Sequence, residues 1–149
     1  MEQNETPTST QVRRRILEMS YSAQSVHIPS AFSIVEIVRV LYAHILRFPL
    51  NDWRSEDRDF FVLSKGHGAM ALYPLIEGRG WLEPNSISDY FQDGSSLPGL
   101  AEASVPGCEA NTGSLGQGIG VAAGLALAAN LKNTDQRVFC LIGDGELNE

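Results

Sequence analysis

The run Val138-Phe139-Cys140-Leu141-Ile142 feeds directly into Gly143-Asp144-Gly145-Glu146. A short apolar run with β-branched and aromatic residues ahead of a glycine reads as a buried strand. Asp144 then falls in a glycine-flanked turn at a strand end. A carboxylate there suits Mg²⁺, which takes oxygen ligands and often bridges a protein carboxylate to phosphates. Gly143 and Gly145 let backbone N–H groups come close to a phosphate. Asp-Gly is equally a strong hairpin signal, so the tripeptide alone leaves both readings open.

Three further segments carry chemistry-bearing residues. Phe60-Phe61-Val62-Leu63 reads as a second buried strand and leads into Ser64-Lys65-Gly66-His67-Gly68-Ala69. Glycines on both sides of His67 expose its imidazole, which could donate to a phosphate or a reacting oxygen; a structural histidine in a glycine turn is the plainer alternative. Asn111-Thr112-Gly113-Ser114-Leu115-Gly116-Gln117-Gly118 is a glycine-rich helix entry, which sets free N–H groups against a phosphate. Its glycines could instead serve close helix packing, and both can hold, with Gly113 for a ligand and Gly116, Gly118 and Gly120 for packing. His27, two residues before Pro29, is uninformative alone.

The elements that must position these residues alternate strand, loop and helix. Residues 1–9 read as a loose tail, and residues 10–149 as one unit. Thr10 is expected to cap a helix over about 11–24. Pro29 and Ser30 are expected to break the chain ahead of a second helix from Ser33 to Leu46, whose apolar residues follow 3/4 spacing. A helix is expected over Ala69–Glu77 and a short one over Pro84–Tyr90. Gln92–Gly113 reads as a long ordered loop, commonly functional at that length. Leu115–Leu131 reads as a tightly packed helix with small-residue faces, and Arg137–Ile142 as the last strand. The pattern predicts an α/β fold with a parallel sheet. Ligands in such sheets sit at the carboxyl ends of strands, where Ser64–Gly68 and Gly143–Glu146 both fall.

Composition bounds the function. The 149 residues suffice for one ordinary domain. A net charge of −7 disfavours a nucleic-acid partner, which calls for a basic face, but leaves room for a small anionic cofactor held by backbone dipoles and a metal. Cys108 and Cys140 lack the spacing of a zinc site or a disulfide framework. Cys140 is expected to be a buried core residue, and this cysteine usage fits a reducing cytoplasm. The first ten residues lack the apolar segment of a signal peptide. Ile119–Leu131, interrupted by Gly120, Gly124 and Asn130, falls short of the roughly 20 residues that span a bilayer.

Taken together, these segments resemble the N-terminal, diphosphate-binding half of the transketolase family. The resemblance runs from about Arg13 to Glu149. It is carried by Leu63-Ser64-Lys65-Gly66-His67-Gly68, by Pro106-Gly107-Cys108-Glu109-Ala110-Asn111-Thr112-Gly113-Ser114-Leu115-Gly116-Gln117-Gly118, and by Gly143-Asp144-Gly145-Glu146-Leu147-Asn148-Glu149, in that order. It implies a thiamine diphosphate-binding fold, a partly parallel sheet with helices on both faces that is incomplete in this chain. It also implies thiamine diphosphate and Mg²⁺ as cofactors, and transfer of a two-carbon ketol unit from a ketose or ketose phosphate to an aldehyde. By position, Asp144 would ligate Mg²⁺, and Gly143 and Gly145 would meet the diphosphate. His67 would lie by the diphosphate and the substrate side of the thiazolium, and His27 would contact substrate. Gly113 and Leu115 would line the cofactor pocket. Glu149 would lie where two protomers couple their sites.

The pattern is not complete. Leu97-Pro98-Gly99-Leu100-Ala101 carries Leu100 where the family commonly has a histidine that bonds the two-carbon end of the donor. Val26 and Ile28 replace small residues beside His27. A buried substrate hydroxyl facing leucine would be unsatisfied, which implies a specialised donor or acceptor. A further Mg²⁺ ligand, an asparagine, would lie beyond Glu149. A second chain, the C-terminal transketolase subunit with the pyrimidine-binding domain, would supply the glutamate that activates the aminopyrimidine. The chain alone is expected to be inactive and to bind little cofactor. Acyl transfer from a 2-oxo acid such as pyruvate is one alternative, and a non-catalytic assembly module another.

Overall fold

A computed structural model describes residues 6–83 and 86–149. Its first helix, α1 (Ser9–Ala23), starts earlier than expected, because the cap is Thr8 and not Thr10. The Thr8 hydroxyl oxygen accepts the Gln11 N–H at 3.3 Å, and Gln11 Oε1 accepts the Thr8 N–H at 2.7 Å. Two otherwise orphaned donors are satisfied by this reciprocal box. Residues 1–5 of the expected tail lie outside the described residues.

A short helix not expected from the sequence, α2 (Ile28–Phe32), precedes Ser33, and the single helix expected from Ser33 to Leu46 is two pieces, α3 (Val35–Val40) and a π-helical turn, Leu41–Ile45. Pro29 does not break the chain. It sits in the first turn of α2, where no N–H is needed and its fixed φ favours the helix. The interruption falls at Ser33–Ile34, where the Ile34 N–H reaches back only to Ala31 O. The apolar spacing nonetheless holds, since Val35, Val38, Tyr42 and Leu46 all turn inward.

β1 (Phe60–Leu63) matches the sequence expectation and pairs in parallel with β2 (Val138–Leu141), Phe60 facing Val138 and Leu63 facing Leu141. Side chains alternate across a strand. Phe61 and Leu63 join one continuous core with residues of α1, α3 and the helix α4 (Ala69–Gly78). Val62 is buried outside that core, as are Ala122 and Ala129 of α5 (Gln117–Leu131), and α5 packs on both strands. Helices therefore cover both faces of the sheet. α4 is apolar all round and buried from Ala69 to Ile76, as such a helix must be. A 3₁₀ turn over Ser86–Asp89 stands for the expected short helix, whose start at Pro84 lies outside the described residues.

The expected tight packing of the last helix is only half present. Gly118, Ala122 and Ala129 are buried, but Leu127 is 58% and Leu131 77% exposed. A Cβ on Gly120 or Gly124 would meet nothing within 4 Å. Among the described residues α5 is covered only on its sheet side. Cys140 is half-buried instead of fully buried, for the same reason. No helix of the described residues is long and apolar enough to cross a membrane.

The two strands are pinned at their starting ends by Asp59. Its buried carboxylate accepts the backbone N–H of Arg47 at 2.8 Å and of Arg137 at 3.0 Å, and pairs with both guanidinium groups. Burial alone would raise the Asp59 pKa. The Arg137 and Arg47 hydrogen bonds outweigh it and hold the group well below the usual carboxylate range. The opposite ends of the strands are left for the loops that carry the chemistry.

Candidate functional site

At its carboxyl end β1 passes through Ser64 and Lys65 into a 3₁₀ turn, Gly66–Gly68, which places His67 at the entrance to α4. The turn is locked to the glycine-rich segment. Ala101 N–H donates to Gly66 O at 3.1 Å, Thr112 N–H to Ala101 O at 2.9 Å, and the Thr112 hydroxyl to Leu63 O at 2.7 Å. A Cβ on Gly66 would lie 2.6 Å from the Thr112 backbone, so only glycine allows this approach. Gly118 similarly lets α5 start against the backbone of Ser64, where a Cβ would come within 2.6 Å of its Cα.

The terminal turn joins the same assembly through Glu146, a residue to which no role falls on sequence grounds. Glu146 is 4% exposed. Its Oε1 accepts the Ser64 hydroxyl at 2.5 Å and the Gly116 N–H at 3.1 Å, and its Oε2 accepts the Gly143 N–H at 2.9 Å. Burial raises its pKa, but these donors and nearby His67 win, and the carboxyl is held below its usual range. One carboxylate thus ties the β1 end, the α5 entry and the β2 end together. A glutamate directly after Asp-Gly was the available signal. Its inward direction depends on the 3₁₀ turn Gly145–Asn148, which periodicity does not reveal.

His27 and His67 meet here although forty residues separate them, with ring centroids 5.6 Å apart at an interplanar angle of 55°. His27 occupies a left-handed backbone conformation (φ 75°) just before α2. His67 is half-buried. Burial, Lys65 and His27 lower its pKa against an opposing pull from Glu146. Its neutral form, with one ring nitrogen donating and the other accepting, is favoured. Lys65 is a further residue without a sequence-level signal: its stem runs within 3.8 Å of where a Gly143 Cβ would sit, and its ammonium donates to the Ser33 hydroxyl at 3.1 Å.

The remaining sequence-predicted residues lie around this knot. Gly113 has φ +130°, open to glycine, and a Cβ there would come within 2.9 Å of Leu100 Cδ1. Leu115 is 37% exposed. Asp144 and Gly145 are exposed on the turn after β2, and space around Gly145 is open to 4 Å. The chain returns at Glu149 to Gly116, whose Cβ would lie 2.9 Å from that of Glu149.

These residues fit a diphosphate with its divalent cation. Asp144 presents a free-standing carboxylate beside glycine backbone, and the Lys65 stem passes the same turn with its ammonium on the Ser33 hydroxyl. The buried Ser30 hydroxyl, on the helix packed against the His67 turn, has no protein partner among the described residues. Among those residues no group of three metal-binding side chains gathers.

A parallel sheet with helices on both faces and glycine-rich turns clustered at its carboxyl edge defines a phosphate-binding α/β domain. A family model described as "Transketolase, thiamine diphosphate binding domain" matches residues 8–149, and the chain belongs to that family. The chain is 37% identical over 137 residues to one of the named subunits of the apulose-4-phosphate transketolase of Phocaeicola vulgatus, covering 92% of this chain and 49% of that protein. It is 36% identical over 143 residues to Homo sapiens transketolase, covering 95% of this chain and 23% of that one. The transketolase structure from Campylobacter jejuni superposes with a TM-score of 0.83 at 32% identity, over 95% of this chain and 23% of that one. That from Leishmania mexicana gives 0.83 at 31%, over 97% and 24%. The chain spans about half the length of the Phocaeicola vulgatus relative.

Proposed function

We propose that this chain is the N-terminal part of a thiamine diphosphate- and Mg²⁺-dependent transketolase-like enzyme. It would move a two-carbon ketol unit from a ketose or ketose phosphate donor to an aldehyde, together with a second chain that carries the pyrimidine-binding and C-terminal domains. The observation that carries this reading is the knot at Glu146, which brings His67, the Gly113–Gly118 segment and the Gly143-Asp144-Gly145 turn to one sheet edge. Relatives that are themselves named as single subunits of a transketolase support a partner chain.

In this reading Asp144 ligates Mg²⁺, while Gly143 and Gly145 present backbone to the diphosphate. Gly113 and Leu115 line the cofactor's binding surface. Thiamine diphosphate, when bound, would supply a nucleophilic carbon and an electron sink for the ketol transfer. His67, whose cation is disfavoured by burial, Lys65 and His27, can hydrogen-bond a substrate oxygen through the N–H of its neutral ring. His27 stands next to it on the substrate side. Glu149, beside the α5 entry, would face a neighbouring protomer.

The test is thiamine diphosphate binding with Mg²⁺ by the full-length chain, alone and with its partner chain, followed by ketol transfer. Tight binding by the pair that Asp144→Ala removes supports the reading. Binding that is indifferent to Mg²⁺ and to Asp144→Ala overturns it. Micromolar binding by residues 1–149 in isolation would contradict the need for a second chain. Turnover of pyruvate in place of ketoses would favour acyl transfer, an alternative to which Leu100 lends support. Cofactor binding without turnover of any donor would favour a non-catalytic module.

A further inference from the structure

The glycine-rich segment is fastened at the carboxyl edge of the sheet by the Thr112 hydroxyl on Leu63 O and by the Gly116 N–H on Glu146. A second fastening lies at the opposite end of β1. Arg58, two residues ahead of that strand, donates to both carboxylate oxygens of Glu109, at 2.5 Å from Nη1 and 3.0 Å from Nη2. The two side chains are each 7% exposed. Among the described residues the Glu109 oxygens accept from no other group.

Arg58 is itself held still. Its Nε donates to Trp53 O at 2.6 Å and its Nη1 to Asp59 O at 2.9 Å. The rings of Phe48 and Phe60 lie 5.9 Å and 5.2 Å from its guanidinium carbon. Asp59, the next residue, is the carboxylate that pins the starting ends of both strands. Glu109 therefore docks on a fixed point of the sheet.

A buried ion pair is a poor means to stability, because well-packed apolar side chains of similar volume often serve as well or better. What a bidentate fork adds is a defined distance and orientation. The segment needs both. Residues 101–116 contain neither helix nor strand, so no ladder of backbone bonds sets their course. Thr112 alone would fix where the segment lies and leave it free to pivot. Glu109, three residues earlier, supplies the second point that fixes its direction. Backbone groups that meet a ligand must stand in place beforehand, or the cost of ordering them is taken from the affinity.

We propose that Arg58 and Glu109 are positioning residues for the cofactor. From the sheet edge opposite the proposed site they set the course of the segment that carries Gly113 and Leu115, and through it the affinity for thiamine diphosphate. The inference rests on the ketol-transfer reading above.

The experiment uses the full-length chain with its partner chain and Mg²⁺. Thiamine diphosphate binding is measured by calorimetry, and kcat and the KM for the cofactor are measured with one ketose donor and one aldehyde. Glu109→Gln keeps the side-chain volume and one acceptor oxygen but loses the fork. Its control is Ile16→Ala, a truncation of a fully buried α1 residue that lowers stability by another route. All proteins are assayed below the temperature at which any begins to melt. Glu109→Gln should raise the Kd and the cofactor KM at least tenfold, with kcat at saturating cofactor within threefold of wild type. Ile16→Ala should stay within twofold of wild type in Kd. Glu109→Asp, one methylene shorter with its charge kept, should raise the Kd at least threefold, and it decides the matter if Glu109→Gln does not fold. Unchanged affinity in the Glu109 variants overturns the proposal, as does an equal loss in Ile16→Ala or a fall in kcat alone. Failure of the wild-type pair of chains to bind thiamine diphosphate overturns the reading on which the inference rests, and the inference with it.

Discussion

The Ser64 hydroxyl donates to the Glu146 carboxylate at 2.5 Å, so the residue after β1 and the turn after β2 share one buried bond. The same carboxylate also accepts two glycine N–H groups, from Gly116 and Gly143. Replacing it with alanine would leave several buried donors unpaired, each unpaired group costing about 1–3 kcal/mol. Glu146→Ala should therefore lower stability in urea unfolding of the full-length chain and weaken thiamine diphosphate binding. Glu146→Gln, which keeps an acceptor oxygen, should lose less of both. Unchanged cofactor affinity in Glu146→Ala would show that the knot does not position the site.

Asp144 is exposed, and no side-chain hydrogen bond ties it to the fold among the described residues. Asp144→Asn should leave the unfolding midpoint nearly unchanged while raising the Mg²⁺ concentration needed for cofactor binding by at least tenfold. Metal titration in a tryptophan-fluorescence or calorimetric binding assay checks this. A large loss of stability would assign Asp144 to the fold instead.

His67 should titrate below the ordinary histidine value near 6.5, because burial, Lys65 and His27 all disfavour its cation. The sign follows from linkage. A folded pKa below the unfolded one means that the unfolded chain binds more protons, so His67's contribution to stability is fully present above about 6.5 and is lost as pH falls through the folded pKa. NMR titration of the imidazole should show the low midpoint, and Lys65→Ala should move it upward. A midpoint above 6.5 would reverse the proposed neutral donor.

Asp59 sets the other end of the sheet. Its carboxylate is fully buried between Arg47 and Arg137. Asp59→Ala would leave the backbone N–H groups of Arg47 and Arg137 without their acceptor, at about 1–3 kcal/mol each, while the two half-exposed guanidinium groups turn to water. Since its folded pKa lies below the unfolded one, the Asp59 contribution holds above about pH 4 and fades as pH falls further. Denaturant midpoints measured between pH 3 and 7 should show a constant gap between wild type and variant down to about pH 5 and a gap that begins to narrow toward pH 3.

Gly66 and Gly118 are expected to be intolerant for a steric reason. Alanine at Gly66 meets the Thr112 backbone, and at Gly118 the backbone of Ser64, both inside contact distance. Gly120→Ala and Gly124→Ala meet nothing and should be neutral or mildly stabilising through helix propensity. Thermal melts of the four variants separate the two groups.

What was legible in the chain follows from local rules. The two strands, the glycine turns at their ends and the likeness to transketolases rest on short contiguous segments whose order is itself informative. Phe60–Leu63 and Val138–Leu141 could be read from apolar runs because a doubly covered strand needs no alternation. The errors lay where a local rule had two outcomes. Pro29 can stop a helix or open one, and only the packing of α2 on α4 and on the His67 turn decides which. The apolar 3/4 spacing after Ser33 was correct, but no periodicity marks the break at Ile34 or the π turn that keeps Tyr42 inward.

The site divides in the same way. Sequence by itself determined the chemical types, a carboxylate between glycines, a histidine between glycines, and a glycine-rich helix entry, because each is a property of a few adjacent residues. Tertiary structure alone decided that His27 meets His67, that Leu100 lies over Gly113, and that Glu146 turns inward to fasten three segments while its neighbour Asp144 turns outward. Those relationships join residues far apart along the chain. They depend on the register of two parallel strands and on glycines small enough for backbones to touch, and neither is a property of any single segment.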